Sequence, residues 1–235
     1  MAKTDAVIME AKASKFRSNT GLSQAEPINL KSLLLKLKVL TLFRPLSEDF
    51  SGMCLKDGAG NGFMLINSNN PKGRQHFTIA HELFHLFEEE SVTPHKCNPG
   101  TGNKNPSEQN ADAFAALLLM PKVGLWELIP EQELSSKSIS IATVLKIEHY
   151  YSVSRAALLF RLINIGAMSK ANYEELKTLS PTATARNYGY DTSLYCGGNE
   201  GLVIGDFGEK ARMLFEEGKI SEGHYLELLS KISNK

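Results

Sequence analysis

The chain has 235 residues, 42% hydrophobic and 22% charged, which suits one medium globular domain, or one domain with a modest appendage. Lysine plus arginine number 26 and so do aspartate plus glutamate, so no net charge draws the protein to nucleic acid or an anionic membrane. Three widely spaced cysteines (Cys54, Cys97, Cys196) make no disulfide framework. No apolar signal core follows Met1 and no apolar run has the length of a membrane span, so a cytoplasmic protein is expected.

Residues 5–16 read as a first helix, with Val7, Ile8, Ala11 and Phe16 on roughly one side. Gly21 and Pro27 punctuate the next stretch, and residues 29–38 read as a second helix carrying Leu30, Leu33, Leu34 and Leu37. Residues 39–43 are rich in β-compatible side chains and stop before Pro45, so they predict a strand. Two short apolar runs, 52–56 and 63–67, flank a glycine-rich turn and predict a hairpin. A helix over about 73–89 follows. Residues 94–106 are broken by glycine and proline and read as a polar loop. Ser107 is the expected cap of the next helix, which runs to Met120 and stops at Pro121. Further on, residues 139–151 and 155–165 predict two helices either side of a break capped by Ser154. Residues 171–176 predict another, 187–201 an irregular stretch, and two helices come last. The fold class expected is α+β: a small, mainly antiparallel sheet beside the 73–89 helix, with a mostly helical C-terminal part. Residues 1–168 are the expected core domain, including a helix-turn-helix-like pair at about 139–165, and 169–235 a mainly helical extension.

The sharpest chemical signal is the run HELFH at residues 81–85. Two histidines four apart on a helix lie on one face, one turn apart, so both imidazoles can reach one metal. Zinc takes neutral nitrogen ligands in a tetrahedral shell and lowers the pKa of a water it holds towards ~7. Glu82, between the histidines, is placed to take a proton from such a water and pass it to a leaving amine, as general base and acid. The pattern arises by chance in roughly 1% of chains this long. The plain alternative is a pair of hydrogen-bonded core histidines with Glu82 on the surface.

A zinc hydrolase needs a third protein ligand and an open fourth position. Glu108 and Asp112 lie four apart at the start of the 107–120 helix and face the same way. Glu108 is the expected third ligand, and Asp112 the acceptor for the free ring N–H of a ligand histidine. The alternative is that both acids only favour a helix N-terminus. Rival donors are Glu88, Glu89, Glu90, His95 and Cys97, of which the three glutamates read as a solvated charge run.

These segments resemble a known family. RQHFTIAHELFH (residues 74–85), EQNADAFAALLLMP (108–121) and, more loosely, YSVSRAALLFRL (151–162) are similar to the ImmA/IrrE metallo-endopeptidases, over about 27–168. The family pattern is roughly R-x-x-F-T-x-A-H-E-x-x-H, then E-x-x-A-N/D-x-F-A-x-x-L-L-M-P. The resemblance implies a gluzincin-like zinc site: His81, His85 and Glu108 on the metal, Glu82 as the base. It also implies a substrate class, helix-turn-helix repressors of Xre type from phages, mobile elements, stress regulons or toxin-antitoxin pairs, often encoded alongside. One departure is Phe84, where the family commonly has glycine.

Metallopeptidases usually hold substrate as an added strand at a sheet edge, and the run 63–67 is the expected edge. Candidates for stabilising an oxyanion are His149, Tyr150, Tyr151, Tyr188 and Tyr190. His76 is a candidate for supporting the site or touching substrate, and Cys97 for visiting the metal. The 155–165 helix offers only Arg155 and Arg161 as bases, which favours packing or repressor docking over DNA binding. The two functions weighed are an active zinc endopeptidase and a regulatory module that uses the zinc fold to dock a repressor or DNA without catalysis.

Overall fold

The structure is a computed structural model that describes residues 3–89 and 105–232, with side chains from residue 6 onward. Its N-terminal part holds α1 (Lys3–Asn19), α2 (Leu30–Lys36), β1 (Leu40–Arg44), β2 (Gly52–Lys56), β3 (Gly62–Asn67), α3 (Lys72–Glu88) and α4 (Pro106–Leu119). There follow α5 (Lys122–Leu128), α6 (Glu131–Ser136), α7 (Ile141–Tyr151), α8 (Arg155–Asn164), α9 (Lys170–Lys177) and α10 (Pro181–Asn187). The chain ends with a 3-10 turn (Thr192–Tyr195), β4 (Val203–Ile204), α11 (Phe207–Glu216) and α12 (Glu222–Ile232). The class is α+β, as expected.

The sheet has the order β2-β3-β1-β4. β2 and β3 form the expected antiparallel hairpin, β1 runs parallel to β3, and β4 pairs antiparallel with β1. The strand expected at the edge, β3, is therefore interior. Strand order depends on pairings remote in sequence, which local patterning does not report. Among the described residues the edges are β2 and the two-residue β4.

α3 packs on β2 and β3 and also along α4, and α4 in turn packs on α1. Covered on both sides, α3 buries residues all round, from Gly73 and Gln75 to His85 and Leu86. Its carbonyl end is met by two cations. Lys56 Nζ lies 3.0 Å from the Leu86 carbonyl, and Lys12 Nζ 3.0 Å from that of Glu88, a favourable charge at a helix C-terminus. Its N-terminal turn abuts the α7–α8 turn so closely that a Cβ on Gly73 would come 2.7 Å from the Ser154 nitrogen.

Several boundaries move for local reasons. Asn29 stands outside α2 as its cap, accepting from the Ser32 N–H. Asn105, not Ser107, caps α4: its Oδ1 accepts from the Glu108 N–H at 2.9 Å. Ser154 caps α8 as expected. The short helices α5, α6 and α10 follow or begin with Pro121, Pro130 and Pro181, residues that read as breaks in sequence yet suit helix starts.

The C-terminal segment is joined to the core. The Gln75 amide nitrogen lies 3.1, 2.8 and 2.9 Å from the carbonyls of Ser68, Asn70 and Gly198, and Asn199 Nδ2 donates to Gln75 Oε1 at 2.9 Å. Further along, the buried Glu148 carboxylate of α7 accepts from Arg155 of α8 and from the Tyr195 hydroxyl. No helix among the described residues is long and apolar enough to cross a membrane.

Candidate metal centre

The helical repeat of α3 sets the His81 and His85 rings side by side, with centroids 5.0 Å apart and Nε2 atoms 3.2 Å apart. Facing them is Glu108, in the first turn of α4. Its Oε2 lies 3.3 Å from His81 Nε2 and its Oε1 3.4 Å from His85 Nε2. One ligand atom from each of the three residues lies within 4.8 Å of the other two, the geometry of a group able to hold a metal ion. His81 is 4% exposed and His85 1%.

The opposite ring nitrogens are both taken by carboxylates. Asp112 Oδ1 lies 2.9 Å from His81 Nδ1, and Glu89 Oε2 lies 2.7 Å from His85 Nδ1. An ionised carboxylate only accepts, so each Nδ1 carries a proton and Nε2 is the nitrogen left to face Glu108 or a metal. The two Nε2 atoms and the two Glu108 oxygens meet in one small volume, where a positive charge, carried by a proton or a cation, is favoured. Protonation records the same demand. Burial alone would lower the His81 pKa, but Asp112 and Glu108 outweigh it and raise it to about 9. His85 moves upward too, with Glu108 and Glu89 outweighing its own burial. Glu108 is held well below the usual carboxylate range by its bonds to the two histidines. The group is able to hold a divalent cation, and a His-His-carboxylate set suits zinc.

Glu82 is fully buried, at 0% exposure, and neither of its carboxylate oxygens has a partner at hydrogen-bonding distance among the described residues, the Cys54 thiol being a polar neighbour just beyond it. That excludes the alternative of a surface glutamate. An ionisable group so placed is costly unless the site uses it. Cys54 of β2 sits close by: burial first, then the neighbouring Glu82, pushes its thiol well above the ordinary range.

Phe84, the departure from the family pattern, meets this cluster on one side only, its ring edge-on to that of His85 with centroids 5.6 Å apart. Its ring is 3% exposed, packs on Phe114 at 5.6 Å and lies under the Lys12 ammonium at 5.4 Å, so α1 and α4 take up its volume.

The other candidates lie elsewhere. His76 Nδ1 is 2.8 Å from the Ser152 carbonyl and links α3 to the α7–α8 turn. The Tyr151 hydroxyl donates to the Ala25 carbonyl, Tyr150 packs edge-on to Tyr151, and His149 stacks on Tyr190 beside Tyr195. Tyr188 is exposed. None of these contacts involves the metal group. Arg155 is buried on Glu148, and Arg161 is buried with its Nε on the Met120 carbonyl, so α8 presents neither base to a ligand. Glu88 turns to Lys12 at 3.6 Å. Glu89, read from sequence as part of a solvated run, instead bonds His85; its i, i+4 spacing from that histidine is the signal that finds it. Glu90, His95 and Cys97 lie outside the described residues.

Residues 36–163 match the family model Peptidase_M78, the IrrE N-terminal-like domain. No curated protein matches the chain. The matched segment spans more than half of the sequence and contains β1 to β3, both histidines, Glu82, Glu108 and Asp112: the chain belongs to the Peptidase_M78, IrrE N-terminal-like, family of metallopeptidases.

Proposed function

We propose that the protein is a zinc endopeptidase that cuts a regulatory protein, with His81, His85 and Glu108 holding the metal and Glu82 as general base and acid. The observation that carries this reading is the pairing of a convergent His-His-Glu group with a buried glutamate whose oxygens have no partner at hydrogen-bonding distance among the described residues. When bound, zinc polarises the scissile carbonyl and the attacking water. Glu82 takes the proton of that water and passes it to the departing amine. Asp112 holds the His81 ring in register. β2, the edge strand packed beside α3, has unpaired backbone on its outer side among the described residues, where an extended substrate segment can add as a strand.

The substrate class is the more specific part. The resemblance to the ImmA/IrrE peptidases supports an Xre-type helix-turn-helix repressor, encoded nearby, in a phage, mobile-element, stress or toxin-antitoxin setting. The test incubates the purified protein with the repressor encoded beside it, with and without a chelator, using wild type and Glu82→Gln. Expected are cleavage by the wild type, none after chelation, and none by Glu82→Gln despite wild-type zinc content. Cleavage that survives the chelator or the substitution refutes the mechanism. Full biological activity of Glu82→Gln establishes the non-catalytic docking reading instead.

A further inference from the structure

We infer that Glu89 is a positioning residue of the metal centre: one of its oxygens fixes the His85 ring and the other fixes the helix turn that carries Glu108. The inference rests on the metal reading above and extends it to a residue outside the ligand set and outside the two motif blocks.

Each histidine needs its own acceptor at Nδ1 if its Nε2 lone pair is to stay aimed at the metal position it shares with Glu108. Asp112 serves His81 from across the helix interface. His85 is served from its own helix. Glu89 stands one residue past the end of α3, in extended conformation (φ −95°, ψ 144°), and its side chain reaches back one turn to put Oε2 2.7 Å from His85 Nδ1. Its second oxygen, Oε1, accepts from the Ser107 hydroxyl. Ser107 precedes Glu108 directly. One carboxylate thus ties the end of α3 to the start of α4, across the boundary where the ligands from the two helices meet.

The neighbouring Glu88 provides an internal control. It has the same charge, but its carboxylate lies 3.6 Å from Lys12, on α1. A role of mere negative charge near the site predicts equal effects from both glutamates. A positioning role predicts an effect from Glu89 alone. The Glu89 side chain is 23% exposed and that of His85 1%, so the bond is formed mostly out of water, where its direction is well kept.

The experiment uses the full chain with Glu89→Ala, Glu89→Gln, Glu88→Ala and Ser107→Ala. Zinc affinity is read by competition with a chromophoric chelator, and site geometry by the visible bands of the cobalt(II)-substituted protein. Circular dichroism of the metal-free forms reports folding. Glu89→Ala is expected to weaken zinc binding about ten- to a hundred-fold and to shift the cobalt bands. Glu89→Gln, whose amide oxygen still accepts the Nδ1 proton but carries no charge, falls between that variant and wild type, with bands close to wild type. Ser107→Ala loses less affinity than Glu89→Ala, and Glu88→Ala matches wild type. If Glu89→Ala fails to fold, Glu89→Gln carries the test by its partial loss of affinity. Wild-type affinity and bands in the folded Glu89 variants overturn the inference, as does an equal loss in Glu88→Ala. A wild-type protein that takes up no zinc refutes the metal centre itself and the role of Glu89 with it. Zinc uptake by the wild type with unaffected Glu89 variants refutes the positioning role alone.

Discussion

Replacing Phe84 by alanine separates two accounts of the ring that stands where the family commonly has glycine. In one the ring crowds the metal; in the other it belongs to the core. The structure supports the second, because Phe84 is 3% exposed, sits 5.6 Å from Phe114 and carries Lys12 over its face. Truncating a buried phenylalanine costs about 3–5 kcal/mol, including the cavity it leaves. Glycine adds a further ~1 kcal/mol for its backbone freedom in a helix. With each kcal/mol worth about 2–4 °C in a chain of this size, Phe84→Ala should lower Tm by roughly 10 °C, and Phe84→Gly by a few degrees more. Zinc affinity should fall by less than about ten-fold, since the ring meets that of His85 edge-on but takes no part in the bonds that orient His81, His85 and Glu108. Thermal unfolding of the metal-free protein, set beside chelator competition, measures both quantities. A stability loss under ~1 kcal/mol together with a ten-fold change in zinc affinity would falsify the core assignment and put the ring in the metal cavity.

Other outcomes follow from the same geometry. Native protein treated with iodoacetamide at pH 8 should be labelled at the exposed Cys196 and not at the buried Cys54, whose thiol is pushed up by burial and by Glu82; peptide mapping that finds Cys54 modified without unfolding contradicts its placement. The metal-free protein should lose stability as pH rises from about 6.5 towards 9, because His81 has its pKa raised to about 9 on folding. A group whose pKa rises on folding stabilises fully below its unfolded value, and that contribution is lost as pH climbs through the folded one. Urea midpoints that stay flat over that range argue against the carboxylate cage around His81. Glu148→Ala leaves Arg155 buried without its ionic partner and should cost about 3–5 kcal/mol in denaturant unfolding. A cost below 1 kcal/mol would mean that the pair is open to water.

What the sequence disclosed about the site follows from helical spacing. His81 and His85, like Glu108 and Asp112, are four residues apart, and a regular helix turns that spacing into one face. The structure brings these side chains to one place. Glu89 has the same spacing from His85 and was obscured by composition, since three consecutive glutamates read as solvent-facing. The hairpin was legible from its turn and its apolar runs. The place of β3 inside the sheet was not, because β1 joins it in parallel from before the hairpin, and β4 reaches β1 from far along the chain. Gly124 illustrates another limit. It weakens the helical signal of α5, yet a Cβ there would come 2.1 Å from the Tyr151 hydroxyl, so packing, not propensity, sets the residue.

The bonds from Gln75 to Gly198 and Asn199, and of β4 to β1, bear on where this protein can be cut. Trimming the chain to the family-matched segment would strip the β1 edge of its neighbour and remove two partners of a side chain amide at 0% exposure, one turn from the start of the helix that carries His81 and His85. It would also discard α1, and with it Arg17, whose guanidinium holds the Leu118 carbonyl near the end of α4. The contacts that hold this fold thus reach past the family-matched segment at both ends.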